Sequence, residues 1–201
     1  MAKQLAVSVL LGAGILLGVG LSTAVGFKAR PTQSLEWLDN PRPGQAFSLT
    51  TVDGRFDNQA LLGQWTVVVF GFLQCPDICP TNLAQLAALE AQMAAEAPSA
   101  KLNYVFVSVD PGRDRVTDVH RYAQHFSPAI RGVTGSPTQL TRLARNLGVR
   151  YEAVEGERYT VAHSVTFSII GPAGALRGRF RPGFDVADLA WRIVARVKVA
   201  A

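Results

Sequence analysis

WTVVVFGFLQCPDICPTNLAQLAALEAQMAAEA (residues 65–97) changes its hydrophobic period halfway along. TVVVFGF is continuously apolar, which suits a strand covered on both faces. From Thr81 to Ala97 the period becomes helical. Leu83, Leu86, Leu89 and Met93 recur at steps of three and four, and Gln85, Glu90, Gln92 and Glu96 fall mostly off that stripe. Between strand and helix stand Cys75 and Cys79, the only two cysteines in the chain, each followed by a proline.

The flanking sequence extends the alternation. AFSLTTVDGRF, with turn chemistry at Asp53-Gly54, predicts a hairpin. LNYVFVSV (102–109) predicts a second buried strand. Asp114 opens a helix whose Val116, Val119, Ala123 and Phe126 form one stripe. Another helix starts at SPTQL, with Ser136 as cap and Pro137 at the first position, and stops at Gly148. SVTFSII (164–170), the turn GPAG and ALRGRF predict a second hairpin, and DVADLAWRIVARVKV a closing helix. This order predicts an α/β domain, a thioredoxin-like mixed sheet flanked by helices.

The N-terminus is of a different kind. Leu5 to Phe27 is a run of 23 residues without a charge, longer than the ~20 needed to cross a bilayer as a helix. It predicts one transmembrane anchor (residues 1–30), with cleavage after Ser22-Thr23-Ala24 as the other reading. Residues 31–45, mostly polar and with three prolines, predict a linker, leaving 46–201 as the folded domain. Lys3 on one side of the apolar run and Lys28 and Arg30 on the other leave orientation undecided by charge. Signal-like anchors of this form export the domain attached behind them. The absence of an Arg/Ser-rich transit peptide points to a bacterial inner membrane, with the domain on the periplasmic side.

Composition sets bounds. The 201 residues are 48% hydrophobic, enough for a substantial core without a staple. The net charge is +5, but residues 1–30 carry three basic side chains and no acid. The remainder is nearly balanced and has no long basic run, which argues against a nucleic-acid partner. Arg177, Arg179 and Arg181 alternate along one strand and read as a solvated face.

A cysteine pair at a strand–helix junction is placed for chemistry. Ligands collect at the carboxyl ends of strands in open α/β sheets, and a helix N-terminus favours thiolate over thiol. Spaced four apart on one helical turn, the two sulfurs can form a disulfide or share a soft metal. A purely structural bridge closing so short a loop stabilises by only about 2 kcal/mol. A metal would need more ligands, and histidine is the usual next one. His120 and His125, five apart on one helix, face different directions. His163 is in phase with Val165, Phe167 and Ile169, and its strand could run beside the one ending at Cys75.

These residues resemble the Sco/SenC family. FGFLQCPDICPTNL matches its CPDVCP core after a strand, SVDPGRD (108–114) its SVDPxRD stretch, and VTGS and YTVAHSVTFSIIGPAG its later blocks. The resemblance implies a thioredoxin-like domain tethered at a respiratory membrane, binding copper as Cu(I) or Cu(II). It further implies a chaperone that assists assembly of the dinuclear copper centre of cytochrome c oxidase subunit II. By position the metal ligands are Cys75, Cys79 and His163, with Asp110 an accessory acid. The departures are Gln74 and Leu73 before the pair, and Ala162 where an acid usually precedes the histidine.

Two function classes are compatible with these residues. A copper chaperone would take its metal from an upstream donor. An enzyme, a thiol–disulfide oxidoreductase, would use Cys75 and Cys79 as a redox-active disulfide to reduce the oxidase cysteines, drawing on a thiol reductant. The CxxxC spacing, rather than CxxC, counts against the second. A thiol peroxidase would share the fold but need neither the second cysteine nor the histidine.

Overall fold

The computed structural model describes residues 35–100, 102–154 and 160–199. The expected anchor lies outside them. Among the described residues, no helix is long and apolar enough to cross a membrane.

The chain forms β1 (Glu36–Arg42), β2 (Ser48–Thr51), β3 (Gly54–Asp57), a 3-10 turn (Asn58–Leu61), β4 (Trp65–Gly71) and α1 (Ile78–Glu96). Next come β5 (Leu102–Ser108), α2 (Val116–Phe126), β6 (Ile130–Val133) and α3 (Pro137–Leu147). The last part is β7 (Tyr151–Val154), β8 (Thr160–His163), β9 (Phe167–Ile170), β10 (Leu176–Phe180) and α4 (Val186–Val199). Among the described residues six strands make the central sheet, in the order β1-β10-β9-β4-β5-β6. The strands β4, β5 and β6 run parallel, whereas β9 is antiparallel to β4 and β10 antiparallel to β9.

Every residue of β4 is buried, as its unbroken apolar run requires. Alternate side chains feed two cores. Val67 and Val69 meet Leu83, Leu86 and Leu89 of α1, Val119 of α2 and Ile193 of α4. Val68 and Phe70 meet Leu140 and Leu143 of α3 and Leu49 and Phe56 of the β2–β3 hairpin. Helices thus cover both faces of a mixed sheet, the predicted class. Three rings, Phe167, Phe180 and Phe184, close the first core, with centroids 4.8–5.7 Å apart.

The structure differs from the sequence-based expectation at several points. Residues 36–42, placed in the linker, form the edge strand β1 against β10. Trp37 of that strand meets Trp65 edge-on at 6.0 Å, under the Arg196 guanidinium. β6 is an additional parallel strand. It lets α2 approach closely, since a Cβ on Gly132 would fall 2.5 Å from the Val119 carbonyl. Ser136 precedes α3 but makes no side-chain cap bond, while Gly148 ends α3 in the left-handed region at φ 67°, as predicted. The arginine strand is not simply solvated. Arg177 and Arg179 are half-buried, Arg179 against Gly148 at the carbonyl end of α3, where a cation is favoured.

Candidate metal centre

β4 runs straight into the cysteine loop. Cys75 is not on the helix, as its spacing from Cys79 suggested. It lies in the loop, where its N–H donates to the Phe72 carbonyl at 3.4 Å and turns the chain back. α1 begins at Ile78, three residues before the predicted start. Cys79 is its second residue and Pro80 its third, a position whose N–H has no intrahelical partner anyway. The Asp77 carbonyl starts the helix by accepting from the Thr81 N–H at 3.3 Å and hydroxyl at 2.9 Å.

Both cysteines are reduced and buried. Their side chains are hydrogen-bonded to each other. Beneath Cys79 the strand has no side chain. A Cβ on Gly71 would lie 2.8 Å from Cys79 Sγ and 2.6 Å from Phe106 Cε2. The glycine therefore makes the space in which the sulfur sits.

A helix N-terminus favours thiolate, but burial prevails at Cys79. Desolvation first, then the hydrogen bond with Cys75, pushes the Cys79 thiol well above its ordinary value, against a backbone bond from Phe72 that pulls it down. The metal-free pair is thus held with Cys79 protonated, and a metal must displace that proton. Tyr122 of α2, its ring tilted against Phe106 at 5.8 Å, responds to the same sulfurs. Burial, helped by the charges of Cys79 and Cys75, raises its hydroxyl to about 12.

Two acids close the other side. The Val109 N–H donates to the Gly71 carbonyl at 2.9 Å, continuing the β4–β5 pairing and holding the 109–114 loop beside the cysteine loop. Asp110 is buried there, its N–H bonded to Ser108 Oγ at 3.2 Å. Its Oδ2 has no hydrogen-bond partner among the described residues. Asp114 opens no helix. Its Oδ2 accepts from the Leu73 N–H at 2.9 Å and from Ser108 Oγ at 2.6 Å. Composition gave no sign of this role, although Asp114 stands inside the SVDPGRD stretch. Gly71 and Tyr122 were likewise missed.

Of the three histidines, His163 is the one placed differently from expectation. His163 does not open the strand of Phe167. Its backbone closes β8, opposite Tyr151 in a separate two-stranded sheet. Its side chain lies outside the described residues. The chain reaches β9 four residues later, and the antiparallel register Val68↔Ser168 brings that segment in beside the end of β4. His125 is exposed, and His120 is half-buried on α2. Among the described residues, no three His, Cys, Asp or Glu side chains are arranged to hold a metal. The donors present, two adjacent thiols at the end of a strand, fit a soft cation that takes its remaining ligand from elsewhere.

Known proteins share this architecture. The SCO1/SenC family profile matches residues 37–198. The mitochondrial SCO2 homolog of Bos taurus is 38% identical over 176 residues, covering 85% of this chain and 66% of its own length. A protein of Stutzerimonas stutzeri, described as a putative copper-binding protein, is 37% identical over 132 residues, 64% of each chain. Arabidopsis thaliana ScoI, solved with copper bound, superposes with a TM-score of 0.71 at 36% identity, over 77% of this chain and 98% of that one. The profile spans the sheet, both helical layers and the cysteine loop, and on that match the chain belongs to the SCO1/SenC family.

Proposed function

We propose that the protein is a copper chaperone. It binds one copper ion through Cys75, Cys79 and His163, and assists assembly of the dinuclear copper centre of cytochrome c oxidase subunit II. Copper is the cargo, taken from an upstream donor and passed on by ligand exchange. The observation that carries this reading is the pair of reduced thiols held in contact at the β4–α1 junction. Family membership supports it, as do the copper-bound Arabidopsis relative and the Stutzerimonas relative's description. Two thiolates and an imidazole suit Cu(I), and an added acid such as Asp110 would suit Cu(II). The apolar segment Leu5–Phe27 would anchor the domain on the periplasmic side of a bacterial inner membrane.

The test is an anaerobic Cu(I) titration of the reduced full chain in detergent against a competing chelator. One copper per chain is expected, lost in Cys75→Ser and Cys79→Ser and weakened in His163→Ala. Unchanged binding in His163→Ala would remove the histidine from the ligand set.

The hydrogen bond between the two sulfurs favours one further reading, thiol–disulfide exchange. One thiolate attacks a client disulfide and forms a mixed disulfide. The second thiolate displaces the client sulfur, so the client gains two electrons and Cys75 and Cys79 become a disulfide. Turnover of a disulfide substrate that survives in His163→Ala would favour this activity.

A further inference from the structure

The carboxylate of Asp114 reaches across from the 109–114 loop to the cysteine loop. It is 2% exposed. Among the described residues its Oδ2 accepts two bonds, from the Leu73 N–H at 2.9 Å and from the Ser108 hydroxyl at 2.6 Å. Leu73 lies two residues before Cys75 on the turn that Cys75 closes. Ser108 ends β5, and its hydroxyl also accepts from the Asp110 N–H at 3.2 Å. The Asp114 N–H returns to the Asp110 carbonyl at 2.9 Å. The acid is therefore fixed at both ends, and it fixes the first turn of the cysteine loop.

A group so held does two things. It sets where the loop departs from β4, and it places a charge. Two donors on one oxygen favour the ionised form, although burial opposes it and raises its pKa. The charge stands beside the thiols, because the turn that Asp114 holds through the Leu73 N–H is the one Cys75 closes on the Phe72 carbonyl. In a site with little solvent, a fixed negative charge stabilises a dication more than a monocation.

We propose that Asp114 is the positioning residue of the metal centre, holding the cysteine loop through Leu73 and biasing the site toward Cu(II) relative to Cu(I). This rests on the copper-site reading above. Asp110, by contrast, has an oxygen, Oδ2, with no hydrogen-bond partner among the described residues.

The test compares Asp114→Asn, which keeps the shape and loses the charge, with Asp114→Glu, which keeps the charge and changes the reach. Dissociation constants of the full-length reduced protein in detergent are measured for Cu(I) against a chelator and for Cu(II) added as a salt. Thermal unfolding of the metal-free forms runs beside them. In Asp114→Asn the Cu(II) affinity is expected to fall about tenfold or more relative to Cu(I), whereas Asp114→Glu keeps the wild-type preference. If Asp114→Asn weakens both copper states equally, and only in proportion to lost thermal stability, the residue is merely structural and the proposal fails. Should Asp114→Asn not fold, Asp114→Glu decides alone. A kept preference supports the charge role, and a lost one overturns it. If wild type binds neither copper state, the copper-site reading has failed, and this inference falls with it.

Discussion

Cys79 Sγ occupies the space that a side chain on Gly71 would fill, 2.8 Å from the position of its missing Cβ. The same position is 2.6 Å from Phe106 Cε2. Neither neighbour is exposed, so neither can step aside without moving the core. Gly71→Ala is expected to destabilise the fold by about 1–3 kcal/mol and to weaken Cu(I) binding. Gly112→Ala, with nothing within 4 Å of its Cβ, serves as the control. Equal unfolding midpoints and equal affinities in the two variants would show that Gly71 is not a cradle.

The elevated Cys79 thiol predicts a pH dependence. Its folded value lies above the ordinary 9.0, so the native state holds the proton more tightly than the unfolded chain does. That contribution is fully present below about pH 9 and is lost as pH rises through the folded value. Denaturant titrations of the reduced protein above pH 9 should fall by up to about 1.4 kcal/mol per pH unit more steeply than those of Cys79→Ser. For the same reason the apparent Cu(I) affinity should rise with pH. A flat profile for both quantities would contradict the burial argument.

Asn82 lies one helical turn beyond Cys79, 1% exposed. Neither end of its amide has a partner among the described residues. A buried amide without hydrogen bonds costs about 1–3 kcal/mol. Asn82→Leu is therefore expected to raise the thermal midpoint. A lower midpoint would mean that ordered water satisfies the amide in solution.

Gly148 ends α3 at φ 67°, and an added Cβ would stand 3.3 Å from Arg179 Nη1. Gly148→Ala should cost about 1 kcal/mol from the backbone alone. Part of any excess should vanish when Arg179→Ala is combined with it in a double-mutant cycle. Strict additivity would leave only the backbone effect.

What the sequence disclosed depended on the strength of local signals. TVVVFGF has no polar interruption, and Leu83, Leu86, Leu89 and Met93 fix one face of α1, so both were legible. IRGV (130–133) was not, because four residues with an arginine and a glycine carry no readable period. β1 was hidden by Asp39, Asn40 and Pro41, residues that an edge strand tolerates because only one side must pair. The apparent alternation through His163, Val165 and Phe167 suggested one continuous strand. Yet the chain leaves β8 at His163 and re-enters the sheet only at Phe167. The cysteine spacing suggested one helical turn, and the chain achieves the same meeting with a loop closed on Phe72. Asp114 was invisible as a partner of Leu73 because their bond spans 41 residues.

The opposed directions of β5 and β9 on either side of β4 have a consequence for the order of assembly. The thiols are neighbours in the chain and meet as soon as α1 nucleates on β4. The segment after His163 arrives only when β9 pairs with a strand about a hundred residues earlier, the slow kind of closure. On that order Cys75 and Cys79 come together before β9 completes the sheet beside β4. That interval is when adventitious oxidation, or premature capture of a stray metal ion, threatens the newly made chain most.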